Sequence, residues 1–136
     1  MVYQRVNLGS QNSNCTNFID ALGYQAYRSI TSQLTPASGI SINNVTAQVI
    51  GKIIVLGIHF TTTANIAENA TIISNFKCHP DVNTFGFILS KNASRDLYVA
   101  NLSRNGSSLA NLITKTAIPS GTDVRGVVCL IGDAYF

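Results

Sequence analysis

Charge is scarce in this chain of 136 residues. Asp, Glu, Lys and Arg make up 11% of it, under half of the ~25% usual in globular domains. The nine basic residues stand singly, so a net charge of +3 forms no basic stripe, and nucleic acid is not an expected partner. No apolar run approaches the ~20 residues of a membrane-spanning helix, which removes insertion by that route. No apolar h-region follows Met1-Val2-Tyr3-Gln4-Arg5 either, so no signal peptide is expected. Tryptophan is absent and cysteines number three. Cys15, Cys78 and Cys129 are widely and irregularly spaced, which suits neither a disulfide framework nor a zinc module. Cys78-His79 is the single Cys/His adjacency; it sits in no ligand or nucleophile motif, and no metal or other cofactor is expected.

Acidic residues are equally sparse. Asp20, Glu68, Asp81, Asp96, Asp123 and Asp133 are all there are, and none is spaced as the pair that glycoside hydrolysis requires. No Ser-His-Asp order and no phosphate-cradling glycine loop is visible. The chain is therefore read as a non-enzyme.

What is abundant is Asn, Ser and Thr, at 14, 13 and 12 residues, together with 25 Ile and Val. Hydroxyl and amide groups supply the polarity that charge does not, and β-branched residues favour strands. Val2 to Thr16 has no periodicity and reads as a lead-in. Asn17 to Gly23 fits a short helix capped by Thr16 or Asn17 and stopped by Gly23. Tyr24 to Leu34 fits a helix or a strand equally well. Thr35-Pro36-Ala37-Ser38-Gly39 is turn chemistry, so the expected division is a lead-in or neck over 1–38 and a head domain over 39–136.

From Gly39 onward the pattern is period two, with a turn every eight to fifteen residues, the mark of an antiparallel all-β domain. Val45, Ala47 and Val49 alternate with Thr46 and Gln48 before Gly51-Lys52, a two-residue loop suited to a type II′ hairpin. Ile53 to Thr63 returns. Its Ile53-Ile54-Val55-Leu56 is apolar on both faces, as expected of a central strand covered on each side by a second sheet or a neighbouring subunit. His59 within it reads as a packed or edge histidine. Thr71-Ile72-Ile73 is a short strand, and Cys78 to Asn83 a loop in which Pro80 bars continued pairing. Strands follow at Phe85 to Leu89 and Arg95 to Leu102. Asn105-Gly106 is a strong type I′ hairpin signal, and Leu109 to Thr114 is its partner strand. After the turn Ile118-Pro119-Ser120-Gly121-Thr122, the last strand is Asp123 to Ile131, with Val127-Val128-Cys129-Leu130 expected buried on both faces.

The order of Gly39, Val49-Ile50-Gly51-Lys52-Ile53-Ile54-Val55-Leu56, Phe60, Ile72, Leu97-Tyr98-Val99, Asn105-Gly106 and Ala117-Ile118-Pro119-Ser120-Gly121-Thr122 resembles the C-terminal head of tailed-bacteriophage tail fibres and receptor-binding proteins. The likeness covers about residues 39 to 131; the lack of Trp and the extension from Cys129 to Phe136 depart from the pattern. It implies a compact antiparallel β-sandwich, a homotrimer, and a place on the virion at the tail tip after synthesis in the bacterial cytoplasm. It also implies a host-surface polysaccharide or protein as receptor and other tail or baseplate proteins as neighbours.

Sugar sites combine an aromatic platform with bidentate polar side chains. The stretch best supplied with both is Arg95, Asp96 and Tyr98 with Asn101, Arg104 and Asn105, which are the expected ligand-binding residues of a non-enzymatic adhesin. The alternatives are a structural baseplate or tail component and a polysaccharide depolymerase. Six Asn-x-Ser/Thr sequons, at Asn14, Asn44, Asn69, Asn92, Asn101 and Asn105, give a glycoprotein ectodomain some support. A chain this rich in Asn, Ser and Thr yields several such triplets by chance, so that reading is set aside.

Overall fold

A computed structural model describes residues 24–81, 84–91 and 96–136. Ten strands follow one another: β1 (Tyr24–Ser29), β2 (Thr35–Pro36), β3 (Ile40–Ile50), β4 (Ile53–Thr62), β5 (Thr71–Phe76), β6 (Cys78–Pro80), β7 (Thr84–Lys91), β8 (Leu97–Asn105), β9 (Leu109–Thr114) and β10 (Asp123–Ala134). Helical structure among the described residues is confined to one 3₁₀ turn at Thr31–Gln33. Every pairing is antiparallel. The path β1-β3-β4-β10-β7-β8-β9-β5-β2 bends where β10 meets β7 at only Val124↔Lys91 and Arg125↔Ser90. It thereby folds into two sheets packed face to face, an all-β sandwich.

Period two dictates which side chains fill the interior. On the first sheet Val45, Ala47 and Val49 of β3, Ile54, Leu56, Ile58 and Phe60 of β4, and Val124, Val128 and Leu130 of β10 are buried. Opposite them stand Ile72, Ile73 and Phe76 of β5, Tyr98, Ala100 and Leu102 of β8, and Ala110 and Leu112 of β9. Fully burying a side chain such as Ile54 or Leu56 stabilises the fold by about 1.5–3 kcal/mol.

The sandwich begins earlier than Gly39. β1 pairs with β3 through Tyr24↔Ile50 and Ser29↔Thr46, and β2 pairs with β5, so residues 24–36 belong to the sheets rather than to a lead-in. The helix expected over Asn17 to Gly23 lies outside the described residues. Cys78 to Pro80 is a strand rather than part of a loop, and it ends at Pro80. β6 runs beside the end of β10 through Gly132↔Pro80, Asp133↔His79 and Ala134↔Cys78. A proline is tolerated in such a short peripheral strand because its missing N–H breaks no central ladder.

Both predicted hairpins form. Ile50 pairs with Ile53 around Gly51, whose φ is +60°, while Lys52 keeps φ negative, as a type II′ turn requires. The second hairpin closes one residue wider than expected. Asn105 pairs with Leu109, leaving Gly106-Ser107-Ser108 as the loop, and only Gly106, at +75°, has positive φ. The turn Ile118–Thr122 is tied to the end of β4. The Thr62 hydroxyl donates to the Pro119 carbonyl at 2.6 Å and accepts from the Thr122 N–H at 2.9 Å. Gly39, at φ +81°, passes so close to Ala64 that a Cβ would stand 2.9 Å from its methyl carbon.

Candidate ligand-binding face

The outward-facing residues of β3, β4 and β10 fall into rows fixed by register. From the hairpin tip inward they are Ile50–Ile53–Ile131, Gln48–Val55–Cys129, Thr46–Gly57–Val127, Asn44–His59–Arg125 and Ser41–Thr61–Asp123. The tip row is apolar and exposed, Ile131 at 57%, Ile50 at 47% and Ile53 at 45%, and Val127, two rows further in, is 71% exposed. The expectation that β4 and β10 are covered on both sides therefore fails inside one subunit. Each strand is central in its sheet, yet among the described residues no second layer lies over its outer face.

The last rows are polar and linked. His59 Nε2 lies 2.8 Å from Asp123 Oδ1. A carboxylate only accepts, so the imidazole carries its hydrogen on Nε2 in this contact. Arg125 donates to the same carboxylate from Nη2 at 3.3 Å and Nε at 3.5 Å. The Arg125 hydrogen bond, with a smaller contribution from His59, holds the Asp123 carboxyl below its ordinary range against a weaker opposing effect of burial. On the neighbouring strand, Asn44 accepts from Ser29 and Thr31 through its side-chain oxygen at 3.2 and 3.3 Å. The side chains of His59, Asp123 and Arg125 stay 26%, 34% and 52% exposed.

Between the apolar and polar rows the sheet carries a shallow open depression of about 330 Å³, lined by Asn44, Thr46, Gly57, His59, Arg125 and Val127 together with Ile58 and Gly126. Its floor exists because Gly57 has no side chain. The Thr46 hydroxyl lies 2.7 Å from where a Cβ of residue 57 would stand, which also explains why this outward threonine is buried.

The residues expected to bind ligand do not converge. Strand alternation sends Tyr98 inward, where it joins the core and offers no exposed platform. Asn101 and Asn105 lie on the opposite, outward side of β8, half-buried and exposed respectively. Arg104 is structural: its Nε donates to the Pro80 carbonyl at 2.6 Å and its Nη2 to the Asp81 carbonyl at 2.5 Å, fastening β6. Asp96 is exposed just ahead of β8, some nine residues and about 30 Å of strand from Asn105. Arg95 lies outside the described residues.

The cysteine and carboxylate expectations meet the structure as follows. Cys78 is fully buried, and burial pushes its thiol up to about 12, so it is no thiolate nucleophile at neutral pH. Among the described residues no three His, Cys, Asp or Glu side chains gather as metal ligands. Asp81 and Asp133, far apart in sequence, meet around Lys52 at 3.4 and 3.5 Å, and the ammonium's pKa is raised by its hydrogen bond to Asp81 and by both charges. The lysine occupies the space between the two carboxylates, so they form an ion triad rather than an open acid–base pair. No protein-family description matches the chain, and no curated protein is significantly similar to it.

Proposed function

We propose that this chain is the non-enzymatic receptor-binding head of a tailed-bacteriophage fibre, acting as a homotrimer that attaches the virion to a bacterial surface polysaccharide. The observation that carries the reading is the uncovered apolar end of the β3–β4–β10 face. Three aliphatic side chains at the hairpin tip, Ile50, Ile53 and Ile131, share one exposed surface outside the core, and leaving them in water forgoes about 25 cal/mol per Å². A symmetric partner is the economical cover. Three-fold symmetry and the place on a virion come from the resemblance of the hairpin and Ile-Pro-Ser-Gly-Thr motifs. An open polar surface beside the apolar rows suits weak single contacts multiplied by several copies, as attachment to a repetitive polymer requires.

Light scattering tests the assembly, with about three times the 14.5 kDa chain mass expected. Adsorption of the labelled protein to a panel of bacterial cells tests attachment. A trimer that adsorbs to no cell moves the reading to a structural tail or baseplate component, and new reducing ends from a host polysaccharide move it to a depolymerase. A clean monomer counts against the fibre head itself.

A further inference from the structure

We propose that the depression over Gly57 is a saccharide subsite that seats one pyranose unit, with Arg125, His59 and Asn44 on its hydroxyl edge, Asp123 behind them holding Arg125 and His59 in place, and Val127 against its C–H face. The ligand class rests on the attachment reading above; the location rests on the geometry alone. A pyranose presents vicinal hydroxyls, each both donor and acceptor, around a ring with apolar patches. The depression offers the complement. Arg125 supplies a planar donor fork whose orientation, like that of the His59 ring, is fixed by hydrogen bonds to Asp123. Asn44, its oxygen engaged by Ser29 and Thr31, presents N–H donors, and Val127 gives an exposed aliphatic wall. The floor at Gly57 lets a flat ring approach the backbone, a role that favours glycine inside a strand.

The charges argue for a sugar rather than a simple anion. Asp123 pairs with Arg125 at the edge of the site, so the guanidinium offers a phosphate or carboxylate hydrogen-bond donors and little uncompensated charge. The site is also compatible with the trimer. Gly57 stands four residues from Ile53, about 13 Å along the strand, so an interface centred on the hairpin-tip rows leaves the depression open. The other polar cluster, Lys52 with Asp81 and Asp133, has its charges mutually satisfied and secures the ends of β4, β6 and β10.

Titration of the whole protein with the methyl glycosides of glucose, galactose, mannose, rhamnose and N-acetylglucosamine, followed through its amide NMR shifts, tests the inference. At least one glycoside should move the amides of Gly57, His59, Arg125 and Val127 saturably. Arg125→Ala should weaken that binding by about tenfold or more, the effect of removing a charge-assisted hydrogen-bond donor. Ser107→Ala, in the exposed β8–β9 loop, should leave it unchanged. Melting curves confirm that both variants fold. The subsite is overturned if no glycoside moves these amides, if Arg125→Ala binds like the parent, or if acetate and inorganic phosphate move the same amides as strongly. Cell adsorption separates this from the wider reading. Adsorption that survives Arg125→Ala removes the subsite and keeps the adhesin, whereas glycoside binding without adsorption to any cell keeps the subsite and removes the adhesin.

Discussion

The two faces of β4 and β10 are built from the same strands and nearly the same residue types, yet they do different work. Inward, Ile54, Leu56, Val128 and Leu130 are sealed from water; outward, Ile53, Val127 and Ile131 are not. A strand apolar on both faces is a request for two partners. The second sheet supplies one of them, and among the described residues the outward side chains remain exposed. Along the outward face a second contrast appears, between apolar rows at the hairpin tip and the linked polar rows beyond Gly57.

The sharpest way to separate the faces is to remove the same kind of bulk from each. Leu56→Ala leaves a cavity in a closed interior and should cost about 2–5 kcal/mol in urea denaturation. If the loss is below about 1 kcal/mol, the interior is looser than its burial indicates. Gly132→Ala comes next. A Cβ there would run into the His79 carbonyl oxygen and stand 2.8 Å from Pro80 Cα. Both are backbone atoms, so β6 must move away from β10, at about 1–3 kcal/mol. Hydrogen exchange should show the loss of protection at Asp81, whose N–H donates to the Ile131 carbonyl at 2.8 Å.

On the outward face, the double change Ile53→Ser with Ile131→Ser should leave the stability of the isolated chain within about 0.5 kcal/mol, as for other exposed positions. Its mass in solution should nevertheless fall to that of one chain. An unchanged oligomer would place the subunit contact elsewhere and weaken the comparison between the faces.

Much of the fold was legible in the sequence because alternation and turns are local. Gly51-Lys52 fixes where β3 turns back, and the same count from the turn pairs Gln48 with Val55, Thr46 with Gly57 and Asn44 with His59. Half of the polar cluster could therefore have been placed by arithmetic from one hairpin. Asp123 and Arg125 could not, because β10 reaches β4 across sixty residues and nothing local sets that register. The inward placement of Tyr98 is hidden from the sequence for a related reason. Its neighbours Leu97 and Val99 are as apolar as Ala100 and Leu102, so the sequence does not say which set faces inward, and the residue expected to be a platform is a core residue. Tyr24 to Leu34 stays open between helix and strand, and Thr35-Pro36 reads as a turn, because two short strands, one of them ending in proline, carry too few alternations to register as a pattern.

The smallest expected effect concerns acid. Asp123 has its carboxyl held below the ordinary 3.8 by Arg125 and His59, so the folded chain binds this proton less readily than the unfolded chain. A depressed carboxylate contributes stability that is present above its unfolded pKa and is lost as pH falls through the folded value. The window therefore lies below about pH 3.8. Because the side chains are one-quarter to one-half exposed, solvent screens the pair and the contribution is small. Urea midpoints between neutral pH and that window should fall slightly less steeply in Asp123→Asn than in the parent, while the variant should lose glycoside binding at neutral pH. Equal acid slopes would show that the pair is formed in solution too weakly to shift the titration. A variant that kept the parent's sugar binding would remove Asp123 from the polar rows' proposed role and leave the face distinguished by its apolar end alone.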